Sequence, residues 1–87
     1  MADVVQRVEY QYVVIPDRPG EGVRVLGALQ QAGVNLRAVL GFPLGNGNSQ
    51  LDLVAEDPEA LRRAAAAAGL QLSAPKHAFL IQGDDRV

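Results

Sequence analysis

The chain has 87 residues, a formal net charge of −2 and an isoelectric point near 5.1, with no cysteine and a single histidine. Disulfides, thiolate chemistry and Cys-ligated zinc are thereby excluded, and charges of both signs scattered along the chain give no basic field to hold a phosphate backbone, so nucleic acid is not an expected partner. One small domain over residues 1–87 is expected, its modest core favouring self-association, and the lack of an apolar run behind a basic start or of the roughly 20 apolar residues of a membrane span points to a cytoplasmic protein that does not enter a membrane.

Val8 to Ile15 has period two, with Val8, Tyr10, Tyr12 and Val14 alternating with Glu9, Gln11, Val13 and Ile15, which predicts a first strand. Glu21 to Ala32 places Val25, Leu26, Leu29 and Ala32 at helical spacing and is followed by Gly33, so a first helix is expected there. Asn35 to Leu44 alternates again, with Leu36, Ala38, Leu40 and Phe42 opposed to Arg37, Val39 and Gly41. Gly45-Asn46-Gly47-Asn48 tolerates positive φ and predicts a hairpin into a third strand, where Leu51, Leu53 and Ala55 alternate with Gln50, Asp52 and Val54. Asp57-Pro58-Glu59 offers a cap, a first-turn proline and a first-turn acid for an alanine-rich helix to Ala68, closed by Gly69. Gln71 to Gln82 contains Pro75 and then an alternating stretch, which reads as a last strand with an irregular start, and Gly83 to Val87 reads as a loose tail.

The order is βαββαβ, an α+β, ferredoxin-like plan with a four-stranded antiparallel sheet. Right-handed crossovers put both helices on one face of that sheet and leave the other uncovered by the chain itself. If the first apolar set faces the helices, the uncovered face carries Glu9, Gln11, Val13, Arg37, Val39, Gln50, Asp52 and Val54.

The segment between the first strand and the first helix, Asp17-Arg18-Pro19-Gly20-Glu21-Gly22, is the most suggestive chemically. Pro19 suits a first helical turn, and Gly20 and Gly22 leave neighbouring amides unshielded. A helix start of this kind receives a carboxylate or phosphate without a lysine, and Asp17 adds an acceptor suited to an ammonium group. An α-amino acid carries both groups. On local pattern alone, a cap at Asp17 and a tight turn at the glycines is the favoured reading, and Asn35 is common at a helix exit as well as apt for a ligand.

The run "DRPGEGVRVLGALQQAGVNL" resembles the first half of an ACT domain: a D-x-P-G-like loop after the first strand, then a Gly-Val-Asn-Leu entry to the second at the family's spacing. The similarity extends over essentially the whole chain. It implies a regulatory, non-catalytic module without cofactor or metal, binding a small-molecule effector, commonly an amino acid, between the protomers of a homodimer and acting on a partner enzyme. By that resemblance the ligand-binding residues are Asp17, Arg18, Pro19, Gly20, Glu21 and Gly22 of one protomer with Asn35, Leu36, Arg37 and Ala38 of the other. Two positions depart from the family. Ile15 stands where some serine-binding members have a polar contact, and Gly22 replaces an apolar residue common in the first helical turn.

Other chemistry is sparse. His77 has no second histidine for a metal and no nucleophile to activate, and Glu59, Asp84 and Asp85 lack the spacing of a cation loop. No acid, base and nucleophile set is present, so catalysis is not expected. Base stacking on the sheet is also unexpected, because Tyr10 and Tyr12 fall on the assumed core face and Arg37 and Val39 supply no ring. The rival reading is a ligand-free ACT-like module that pairs with another protein through its open sheet face or edge.

Overall fold

The computed structural model describes residues 4–82; Gly83 to Val87, read as a loose tail, lie outside the described residues. Its elements are β1 (Val4–Pro16), α1 (Glu21–Gln31), β2 (Leu36–Pro43), β3 (Asn48–Ala55), α2 (Pro58–Ala67) and β4 (Lys76–Gln82), the expected βαββαβ order. The strands form one antiparallel sheet in the order β2-β3-β1-β4, so β2 and β4 are its edges.

Both helices cover the same face. Val25 and Leu29 of α1 and Leu61 and Ala64 of α2 meet Val13 and Ile15 of β1 and Leu51, Leu53 and Ala55 of β3 in one core. Leu29, Leu53, Leu61, Val13 and Val25 are its largest fully buried side chains, each worth about 1.5 to 3 kcal/mol of transfer free energy.

Two of the three face assignments are inverted. On β1 it is Gln11, Val13 and Ile15 that face the helices, while Val8, Tyr10, Tyr12 and Val14 lie on the open side. The cause is that β1 is apolar on both faces, so alternation gives its period but not its phase. On β2 a register irregularity between Leu36 and Ala38 resets the alternation: Leu36 packs on the core side opposite Ala55, and beyond it Ala38, Leu40 and Phe42 pair with Val54, Asp52 and Gln50 on the open side. Only β3, whose polar and apolar residues separate cleanly, has the expected phase.

Gln11 is the one buried polar residue among the described residues, 4% exposed, and both ends of its amide are hydrogen-bonded. Its Nε2 donates to the Ser73 carbonyl at 2.8 Å, and its Oε1 accepts from Arg62 Nη1 at 3.4 Å. Arg62 also pairs with Glu59 and, at 3.3 Å, with Glu9. The hydrogen bond to Glu59 chiefly, and Glu9 after it, hold the guanidinium charged above its ordinary range.

Candidate functional site

The two helices start differently. At α2 the expected cap forms, with the Asp57 carboxylate accepting from the Glu59 N–H at 3.1 Å. At α1 the N-cap is Gly20, in the left-handed region at φ 86°, and no side chain caps the helix. Asp17 therefore does not serve as a cap. Its own N–H donates to the Gly47 carbonyl at 2.9 Å, which fastens the loop to the β2–β3 hairpin and leaves its carboxylate beside the helix start. The Glu21 N–H is taken by the Arg18 carbonyl at 3.2 Å, whereas the N–H groups of Gly22 and Val23 have no acceptor among the described residues.

A cleft of about 230 Å³ lies between the loop and the end of β2. Asp17, Arg18 and Gly22 line it from the loop side, and Ile15, Gly41, Phe42, Pro43, Ser49 and Leu51 from the sheet. Gly41 keeps it open, because a Cβ there would stand 2.9 Å from Leu51 Cδ2. Apart from Ile15, the strand-side residues are ones that sequence reasoning missed, although a glycine inside β2 was a signal of close approach.

Of the other expected residues, Pro19 and Gly20 form the turn itself, and the Glu21 carboxylate is occupied along the helix by Arg24 at 3.0 Å. Asn35 and Leu36 line a second cleft, of about 300 Å³, with Leu26, Gln30, Val34 and Val39. Arg37 and Ala38 do not line it, and the irregularity in β2 accounts for the turn of Ala38. The Arg37 guanidinium donates to Gln6 Oε1 at 2.7 Å, and Ala38 faces the open side of the sheet.

Both clefts lie along the open edge formed by α1 and β2, one at each end. Leu36 to Pro43 spans about 23 Å at the usual rise per residue, so one small molecule does not reach from Asp17 to Asn35 within a protomer. Each cleft is also at or below the lower end of ligand-pocket volumes, roughly 300 to 1,000 Å³.

No family model matches the chain, and no curated protein matches it in sequence. Solved structures do match in fold. A protein of Bacteroides thetaiotaomicron superposes with a TM-score of 0.69 at 14% identity over 84% of this chain and 49% of its own. The regulatory subunit of aspartate kinase from Thermus flavus gives 0.59 at 19% identity, covering 97% and 57%. The ACT domain of GTP pyrophosphokinase from Chlorobium tepidum, determined in solution, gives 0.54 at 15% identity and is matched nearly end to end, 90% of this chain and 89% of that domain. This chain has the ACT-domain fold. It spans about half the length of the first two structures, so the ACT fold here corresponds to part of those molecules.

On this ACT fold the sheet tyrosines do not lie in the core. Tyr10 and Tyr12 stand on the open face, as does Phe42 of β2. What still opposes nucleic acid is the charge balance. Among the described residues no group of three His, Cys, Asp or Glu is placed to hold a metal, and no helix is long and apolar enough to cross a membrane.

Proposed function

We propose that the chain is a member of the ACT family that senses a small effector of amino-acid type at the interface of a homodimer, and that it regulates a partner enzyme. The observation that carries this reading is the uncapped start of α1: Asp17, not spent as a cap, and Gly22, with a free N–H and no side chain, line one cleft, and the free N–H of Val23 is next along the helix. Backbone donors with the positive end of the helix suit an α-carboxylate, and the Asp17 carboxylate suits an ammonium group.

The half-clefts support the dimer. If β2 pairs with β2 of a second protomer about a twofold axis, the strands run antiparallel and the end of one lies beside the start of the other. The loop cleft of each protomer then faces the partner's Asn35 and Leu36, and two small clefts become one site of ordinary size. Such pairing also covers the exposed β2 edge, which is otherwise open to unspecific strand addition.

A thermal-shift screen of the standard amino acids tests the reading. A ligand bound only by the folded protein at a hundred times its Kd adds about 2.7 kcal/mol of apparent stability. No shift with any amino acid, at millimolar concentrations, would remove the effector and leave a module that acts through protein contacts alone.

A further inference from the structure

The sheet face turned away from the helices meets the effector clefts only at Phe42 and Val39. It holds a trough of about 250 Å³ in which Val8 and Val54 are buried without any helix over them, bordered by Tyr10, Leu40, Asp52 and Ala78. Around it Leu40 is 62% exposed and Val14 49%. An apolar surface of this kind, concave and continuous over four strands, marks an interaction site rather than ordinary solvent-facing sheet.

Two charges on this face lack a partner. The Asp52 carboxylate accepts one hydrogen bond, from Gln50 Nε2 at 2.9 Å, and Lys76 Nζ stands 5.9 Å from the centroid of the Tyr12 ring; neither residue makes a salt bridge among the described residues. They do not pair with each other. Lys76 is opposite Tyr10 and Asp52 is opposite Tyr12, which separates them by two strand spacings, about 10 Å, and by two residues along the strands.

We infer that the open face is a self-association surface on which a second copy of the chain packs face to face, Asp52 of each protomer meeting the partner's Lys76. A single twofold axis lying in the interface, midway between the two positions, exchanges them and so makes both pairs at once. That midpoint falls on β1 between Tyr10 and Tyr12, whose rings then pack about the axis. The residual charge of the face is thus complementary to itself. This interface is separate from the β2 edge and stands on the sheet face alone, whatever becomes of the effector reading.

The test is sedimentation equilibrium of the full chain with charge exchange. Asp52→Lys and Lys76→Asp should each lower the mass of the assembly by a factor of two, since each leaves like charges opposed. An equimolar mixture of the two variants should restore the wild-type mass, because the two introduced side chains, of opposite charge, then face each other across one pair, and the native Lys76 of one variant faces the native Asp52 of the other across the second. Leu40→Glu, at a position exposed enough to leave the fold unchanged by circular dichroism, should halve the mass as well. A wild-type monomer, a mass unmoved by Asp52→Lys, or a mixture that fails to recover overturns the inference. A fluorescent oligouridylate that binds the wild type while Asp52→Lys leaves the mass unchanged would overturn it too, in favour of single-stranded nucleic acid on the same tyrosines.

Discussion

Removing the Ser73 hydroxyl should unfasten the point where the chain enters β4. Ser73 replaces a regular ladder pair with a mixed one: its N–H donates to the Tyr12 carbonyl at 2.8 Å, and its Oγ accepts from the Tyr12 N–H at 2.9 Å. Its own carbonyl is taken by Gln11 Nε2, so the side chain supplies the acceptor that the backbone cannot. In Ser73→Ala the Tyr12 N–H loses its acceptor, and a donor left unsatisfied costs about 1 to 3 kcal/mol. The site is only partly buried, so water meets part of that demand and the expected loss is about 1 to 2 kcal/mol. For a domain of this size that lowers Tm by roughly 4 to 15 °C. Urea unfolding with an unchanged m-value measures it, and Ser73→Thr, which keeps the hydroxyl, should stay within about 0.5 kcal/mol of wild type. A loss below about 0.5 kcal/mol for alanine, or equal losses for alanine and threonine, would refute the mixed pair as a stabilising contact.

Gly22→Ala should raise thermal stability by up to about 1 kcal/mol, since a Cβ there meets nothing within 4 Å and the helix gains propensity, while its methyl enters the loop cleft and weakens the effector response; a stabilised protein with undiminished response would contradict the placement. Gly20→Val acts the other way, losing about 1 to 3 kcal/mol in unfolding experiments because φ is 86°. Leu53→Ala, at a fully buried position, should cost about 2 to 5 kcal/mol, whereas Val23→Ala, 77% exposed, should change stability by less than about 0.5 kcal/mol. Because the Arg62 pKa is raised, its contribution is complete below the unfolded value and is lost only as pH climbs through the folded one, above the ordinary arginine range. The stability difference between wild type and Arg62→Met should therefore be flat from about pH 6 to pH 10, and a slope there would assign the effect to another group.

The helices and the hairpin were legible because their signals are local. Pro58 behind Asp57, Gly33 and Gly69 behind apolar helical spacing, and Gly45 to Asn48 between two alternating runs each specify a backbone turn by themselves. Strand phase was legible only on β3, where Leu51 and Leu53 are set against Gln50 and Asp52. On β1 both Val13 with Ile15 and Tyr10 with Tyr12 are apolar enough to face the helices, and only the assembled core shows that Val13 and Ile15 do. The irregularity at Arg37 leaves no mark in composition, and it decides that Ala38 faces the open side instead of joining Leu36. The loop half of the site was readable from Asp17 to Gly22. Its other wall, from Gly41 to Ser49, comes from residues brought there by pairing and was not.

The measurement that bears most directly on a shared effector site is calorimetric complementation, using the amino acid that gives the largest thermal shift. Asp17→Ala and Asn35→Ala should each bind it weakly, because every site then lacks one of its two contributors. Mixed and allowed to exchange, they form heterodimers with one intact site and one doubly impaired site, so roughly a quarter of the wild-type sites should return at wild-type affinity. A mixture that binds no better than its components, with heterodimers present, would contradict a site built from two protomers.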